Sequence, residues 1–200
     1  YEAERHPITE QVSHFVMNHA QKMIKARRAV PHNIEDLDAE GEAARHLIGA
    51  EAYDLNVQQF CCEGLNFGYF YEKSPIISHE SEAAPDYSMG AFTPSTLPGC
   101  RAPHFWLNDG TSLYDLLGNG YSLLRFDQSI DVHALLQNTS AENIPFKLID
   151  LHTQDQKPSA YQHPLVLCRT DQHVVWRGHE LPRSVPQFVS FLKGFAASAS

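Results

Sequence analysis

The chain has 200 residues, 42% hydrophobic and 20% charged, enough apolar material for one large or two small globular units. Its 24 acidic side chains against 15 basic ones leave a formal charge of −9, which opposes binding to nucleic-acid phosphates or anionic lipid. No apolar run approaches the ~20 residues that cross a bilayer, and the charged opening YEAERHPITE is unlike a secretory leader.

Residues 8–25 read as a helix, with Ile8, Val12, Phe15, Val16, His19 and Met23 at helical spacing. Pro7 suits an early helical position or a kink in a longer helix begun upstream. Arg27-Arg28 agree with the helix dipole at its end, and Pro31 stops it. A second helix is expected from Glu35 to about Ala52, on a partial stripe of Leu37, Ala44, Leu47 and Ile48. Residues 57–77 close on FGYFYEKSPII, an aromatic strand-like segment stopped by Ser74-Pro75. From His79 to Pro98 the chain is polar and broken by prolines, as in a linker or surface crossing.

Further on, Ser112 caps a short helix, with Asp115 three residues along and Gly118 at its end. Tyr121–Phe126 is a strand, Asp131–Asn138 a helix facing inward through Val132, Leu135 and Leu136, and Phe146–Leu151 a second strand. LVLCRTDQHVVWRG, residues 165–178, is a strand-turn-strand pattern cornered at Arg169-Thr170-Asp171-Gln172. Val185, Phe188, Val189 and Leu192 stripe a closing helix with Pro186 in its first turn. Strand, helix, strand, hairpin, helix predicts an α/β unit with one parallel pair and an antiparallel hairpin, an arrangement that resembles the thioredoxin fold. His163-Pro164 stands just before the third strand, where such folds keep a cis-proline; a cis bond is expected there, the alternative being a trans proline that starts an edge strand. The expected organisation is a mainly helical piece over residues 1–78, a linker over 79–97 and a thioredoxin-like unit over 98–200.

A working thioredoxin keeps a low-pKa cysteine at the start of its first crossover helix. The corresponding loop here is Asp127-Gln128-Ser129-Ile130, without one. Cys168 falls within an apolar strand and reads as a small buried hydrophobe. Cys100 lies in a loop with no C-x-x-C partner, and the adjacent Cys61 and Cys62 read as ordinary packing rather than a vicinal disulfide. With no disulfide framework, a reducing, cytoplasmic setting is expected. The 12 histidines show no H-E-x-x-H, and His173 and His179 are not spaced as ligands on a strand. G-x-S-x-G is absent, and Ser88-Met89-Gly90 lacks a nucleophile elbow's strand-to-helix frame. Gly118-Asn119-Gly120 lies between a helix and a strand, the reverse of the order in a dinucleotide-binding turn, and reads as a turn.

Three segments carry a family likeness. YEAERHP at Tyr1–Pro7, GYFYEKSP at Gly68–Pro75, and PGCRAPHFWL at Pro98–Leu107 with LYDLLGNGYSLLRF and LVLCRTDQHVVWRG after it resemble the C-terminal part of FAD-dependent aromatic hydroxylases of the phenol and hydroxyphenylpropionate type. The resemblance implies an intact enzyme that hydroxylates a phenolic ring with FAD, NADPH and O2. It also implies that this chain is a helical remnant of the flavin domain followed by a redox-inactive thioredoxin-like unit, structural or dimerising in role. The family's cofactor motifs are missing from these residues, so no catalytic, cofactor-binding or metal-ligating residue is assigned, no cofactor is expected on the chain alone, and the expected partner is the missing FAD-binding half. Since Tyr1 stands in place of an initiator Met, a fragment or a processed or trimmed product is expected. Phe105 and Trp106 are the candidates for an exposed docking or dimer surface. Two other readings remain open: a free-standing thioredoxin-like interaction module, and a thiol redox protein using Cys100 or Cys61-Cys62.

Overall fold

The computed structural model describes residues 2–151 and 157–194. It falls into two units, one formed by residues up to Gly68 together with Tyr87–Phe92, the other by Tyr69–Asp86 together with the chain from Thr93 onward. The divisions expected at residues 78 and 97 are thereby displaced. The supposed linker is shared between the units, and Thr96 and Leu97 are core residues at 0% and 2% exposure. Thr96 is held there because its hydroxyl donates to the Ala160 carbonyl at 2.8 Å.

The first unit is helical. Helix α1 spans Glu2–Arg28, longer than the 8–25 expected, with Pro7 inside it. Pro7 follows closely on the first turn, whose N–H groups have no intrahelical partners, so the proline removes only one further bond. After a 3-10 turn at His32–Glu35, helix α2 runs Ala39–Phe60, its first turn capped by the Asp38 carboxylate, which accepts from Gly41 N at 2.8 Å. Helix α3 is a single turn, Glu63–Phe67. Met23, Ala26, Ile48 and Leu55 line a groove of about 130 Å³ where α1 and α2 meet. Much apolar surface stays uncovered: Leu37 is 97% exposed, Phe60 82%, Tyr53 69% and Met17 61%.

The second unit is built on a four-stranded sheet. Helix α4 (Leu113–Leu116) leads to β1 (Tyr121–Arg125), then α5 (His133–Ala141), β2 (Phe146–Asp150), β3 (Leu165–Cys168), β4 (Val174–Gly178) and α6 (Val185–Leu192). The strand order is β2-β1-β3-β4; β1 and β2 run parallel from the pair Tyr121 and Phe146, and the other pairs are antiparallel. The Ser112 hydroxyl caps α4 as expected, accepting from Tyr114 N at 3.2 Å.

Both faces of the sheet are buried, which explains why β3 reads as an uninterrupted LVLC. Leu124, Val166, Cys168 and Val174 pack on one side with Ala102, Phe105, Leu113 and Tyr161. On the other, Leu123, Leu165, Leu167 and Val175 meet Val132 at the N-cap of α5, Leu135 within it, and Phe188, Val189 and Leu192 of α6. Among the described residues no helix is long and apolar enough to cross a membrane.

Two local expectations are corrected. The aromatic segment Tyr69–Ile77 forms no strand; its backbone makes scattered bonds, Tyr71 N to Gly99 O at 3.1 Å and, just beyond, Ser78 N to Val175 O at 2.8 Å. The aromatic side chains that suggested a strand are used to bury rings, not to build a ladder. The bond before Pro164 is trans, as no described peptide is cis. Pro164 simply precedes β3, where its carbonyl accepts from Phe126 N at 2.8 Å.

Gly99 fixes the entry of this unit. Its φ is +108°, and a Cβ there would lie 2.6 Å from the Phe70 ring and 2.8 Å from the Tyr71 carbonyl oxygen. Gly99→Ala is therefore expected to destabilise the fold by about 1–3 kcal/mol, read as a lowered urea midpoint with an unchanged slope.

Candidate functional site

The turn joining β3 to β4 positions the most concentrated chemistry in the chain. Arg169 N donates to His173 O and Gln172 N to Arg169 O, both at 2.9 Å, and Gln172 takes the left-handed conformation at φ +69°. Arg101 braces that residue, its guanidinium donating to Gln172 Oε1. The tight turn folds Asp171 back onto His173, whose Nδ1 lies 3.0 Å from the Asp171 carbonyl oxygen and 3.4 Å from its carboxylate. Tyr71 O–H donates to the other carboxylate oxygen at 3.3 Å, and Arg169 Nε lies 3.0 Å from the first.

His173 is fully buried between two tyrosine rings, its centroid 4.3 Å from Tyr71 and 4.9 Å from Tyr69. Its Nε2 has no hydrogen-bond partner among the described residues. Burial alone would raise the Asp171 pKa. The hydrogen bond and charge of His173, with Arg169, outweigh that and hold the carboxyl at about 2. The cluster thus ties Tyr69–Tyr71 to the hairpin by ring contacts and a shared carboxylate.

The thiols divide into two classes. Burial pushes Cys100 up to about 11 and Cys168 up to about 12, so both are protonated at neutral pH. Cys168 is the buried strand residue expected, and Cys100, in its loop, is only 8% exposed. Cys61 and Cys62 are free thiols at the junction of α2 and α3; Cys61 is exposed, so close packing does not account for it.

At the loop following β1, Asp127 Oδ1 accepts from Ser129 N and Oγ at 2.9 and 2.6 Å, a self-contained polar turn. His163 packs at a tilt against His179 with ring centroids 4.8 Å apart, while His173 lies within its tyrosine cage; no group of three metal-ligating side chains is gathered among the described residues. Ser88 sits in an irregular segment, where its hydroxyl accepts from Ala91 N at 3.3 Å. The two docking candidates separate sharply: Phe105 is core at 6% exposure, packed edge-on against Tyr161, whereas Trp106 is 65% exposed. Alternation across the Trp106–Ser112 bridge sends neighbouring side chains to opposite sides. The cluster around His173 was not foreseen; its only sequence signal was the polar corner 169–172.

Residues 95–192 match the family described as aromatic-ring hydroxylase, C-terminal. Over 90% of its length it is 31% identical to the FAD-dependent monooxygenase opdD of Penicillium oxalicum, and over 89% it is 26% identical to the FAD-dependent monooxygenase apdD of Emericella nidulans. It spans only 36% and 30% of those proteins. The structure of chromopyrrolic acid-soaked RebC with bound 7-carboxy-K252c superposes with a TM-score of 0.83 at 30% identity, covering 98% of this chain and 37% of RebC.

Because the Asp171 carboxyl is depressed from 3.8 to about 2, the folded chain takes up that proton less readily than the unfolded one. Its contribution, about 2 kcal/mol, is complete above pH ~4 and disappears as the pH falls toward ~2. Urea titrations across that range should show the loss, and Asp171→Asn should lower stability at neutral pH and flatten the dependence. Iodoacetamide at neutral pH should modify Cys61 in the folded chain, with Cys100 and Cys168 reacting only after unfolding, as peptide mass mapping would report.

Proposed function

We propose that this chain is the C-terminal portion of an FAD-dependent monooxygenase that hydroxylates an aromatic, phenolic ring with NADPH and O2. The observation that carries this reading is the match of nine-tenths of the chain to about a third of two FAD-dependent monooxygenases, together with the family match of residues 95–192.

We read the flavin site as lying outside this chain. Its one glycine-rich turn, Gly118-Asn119-Gly120, lies between α4 and β1, and the place of a Gly120 Cβ is taken by the Pro145 carbonyl oxygen at 2.1 Å. No space remains there for a phosphate to approach the backbone. The flavin, which supplies the oxygen chemistry when bound, therefore belongs to a partner segment. The uncovered apolar side chains of α1 and α2, with Phe60 82% and Tyr53 69% exposed, support residues 1–78 being the remainder of that flavin-binding body.

The second unit then acts as a redox-inactive thioredoxin-like appendage, structural or dimerising in a homodimer, with Trp106 as its exposed aromatic. Four free cysteines are compatible with a cytoplasmic location.

The purified chain alone should be colourless in the visible and inactive on phenols. The longer polypeptide encoded by the reading frame that carries it should bind FAD stoichiometrically and oxidise NADPH when a phenol is added. Hydroxylation by the isolated chain, or a full-length product without flavin, would overturn the proposal.

A further inference from the structure

The second unit contains a cleft of about 490 Å³ that plays no part in the reading above. It opens where β4 ends and α6 begins, and its volume lies in the range of small-molecule sites. One wall is aromatic: Trp176 and Phe188 pack at 5.4 Å between ring centroids. Gly178 sets the pose of the indole, since a Cβ there would lie 2.4 Å from Trp176 Cζ2. The strand ends in glycine so that the ring can lie across it.

The polar lining falls into two classes. The Arg177 side chain, 7% exposed, is committed: Nε and Nη2 reach Glu80 at 3.1 and 2.8 Å, and Nη2 also meets Glu82. Arg183, the Ser184 hydroxyl and the Gln187 amide also line the cleft, and none has a hydrogen bond or ion pair to any described residue. These are donors grouped beside an aromatic wall, one with a full positive charge. Glu180, also lining the cleft, supplies a negative charge whose repulsion scales with ligand charge, so that it disfavours a dianion more than a monoanion.

We propose that this cleft binds a small aromatic monocarboxylate, its ring against the Trp176 indole, which the buried Phe188 backs, and its carboxylate on Arg183, with Ser184 and Gln187 completing the donor set. Aromatic contact supplies the affinity of the ring, and the charge-assisted bond to Arg183 selects the acid over a neutral analogue. The site lies wholly on this chain, so it stands or falls independently of the flavin reading.

The test uses the full chain with Trp106→Phe, which leaves Trp176 as the single indole of the two in the sequence. Benzoate should change its emission saturably, with a dissociation constant of about 1 mM or below. Arg183→Glu should weaken binding at least ~10-fold and Arg183→Gln by less, with unchanged far-UV circular dichroism, as fits an exposed side chain. Benzyl alcohol should bind more weakly than benzoate, and inorganic phosphate should not displace it. Absence of saturation, equal binding of benzyl alcohol, displacement by phosphate or full affinity in Arg183→Glu would each overturn the assignment.

Discussion

Burial of one sheet on both faces is the constraint from which the second unit follows. β3 lies between β1 and β4 with every residue from Leu165 to Cys168 buried, so neither face tolerates a polar side chain. Helices α5 and α6 cover one face, and the Ala102–Leu113 stretch with Tyr161 covers the other. The second cover contains little regular structure, so its backbone groups need individual partners. Tyr161 O–H donates to Pro103 O at 2.6 Å and Tyr114 O–H to Ala102 O, also at 2.6 Å. Buried tyrosines there supply both apolar bulk and the donors that the loop carbonyls require.

The same burial decides the thiol chemistry. Cys168 takes a core position in β3, where a thiolate would lack solvation, and Cys100 is held beside β4 because its carbonyl accepts from Val174 N while the preceding Gly99 N donates to the Val174 carbonyl, both at 2.8 Å. The proton stays on both sulfurs for the reason that excludes charge from any dry interior. At Asp171 the opposite balance holds, because an imidazole and a guanidinium stand beside the carboxylate. Burial has the same sign at all three groups; the partners decide the outcome.

The sheet was legible in the sequence because two-sided burial writes itself as apolar runs, and the four strands and α6 lie where periodicity and the helix-starting Pro186 put them. Tyr69–Ile77 was not, since rings that bury against His173 have the same composition as rings on a strand. The pairing of Tyr71 with Asp171 joins residues 100 apart in sequence, and no local pattern marks it. Phe105 and Trp106 were indistinguishable as neighbours, for only the bridge to Ser112 decides which one faces inward. Leu37 and Leu47 looked like a helix stripe, yet they are 97% and 61% exposed, a pattern that periodicity cannot separate from a core face.

The path of the chain between the two units has a topological consequence. It passes from the first unit to the second at Tyr69, returns at Tyr87 and leaves again at Thr93. Three covalent strands of backbone therefore connect the units, and no single scission point yields both with complete sequences. A truncation after Gly68 would strip the helical unit of Tyr87–Phe92, including the Met89 carbonyl that accepts from Leu65 N at 3.2 Å. One beginning at Thr93 would deprive the sheet unit of Tyr71, Ile77 and the carboxylates paired with Arg177. Modular exchange of either unit between relatives thus requires splicing at three junctions, and inheritance as one block follows from the wiring itself.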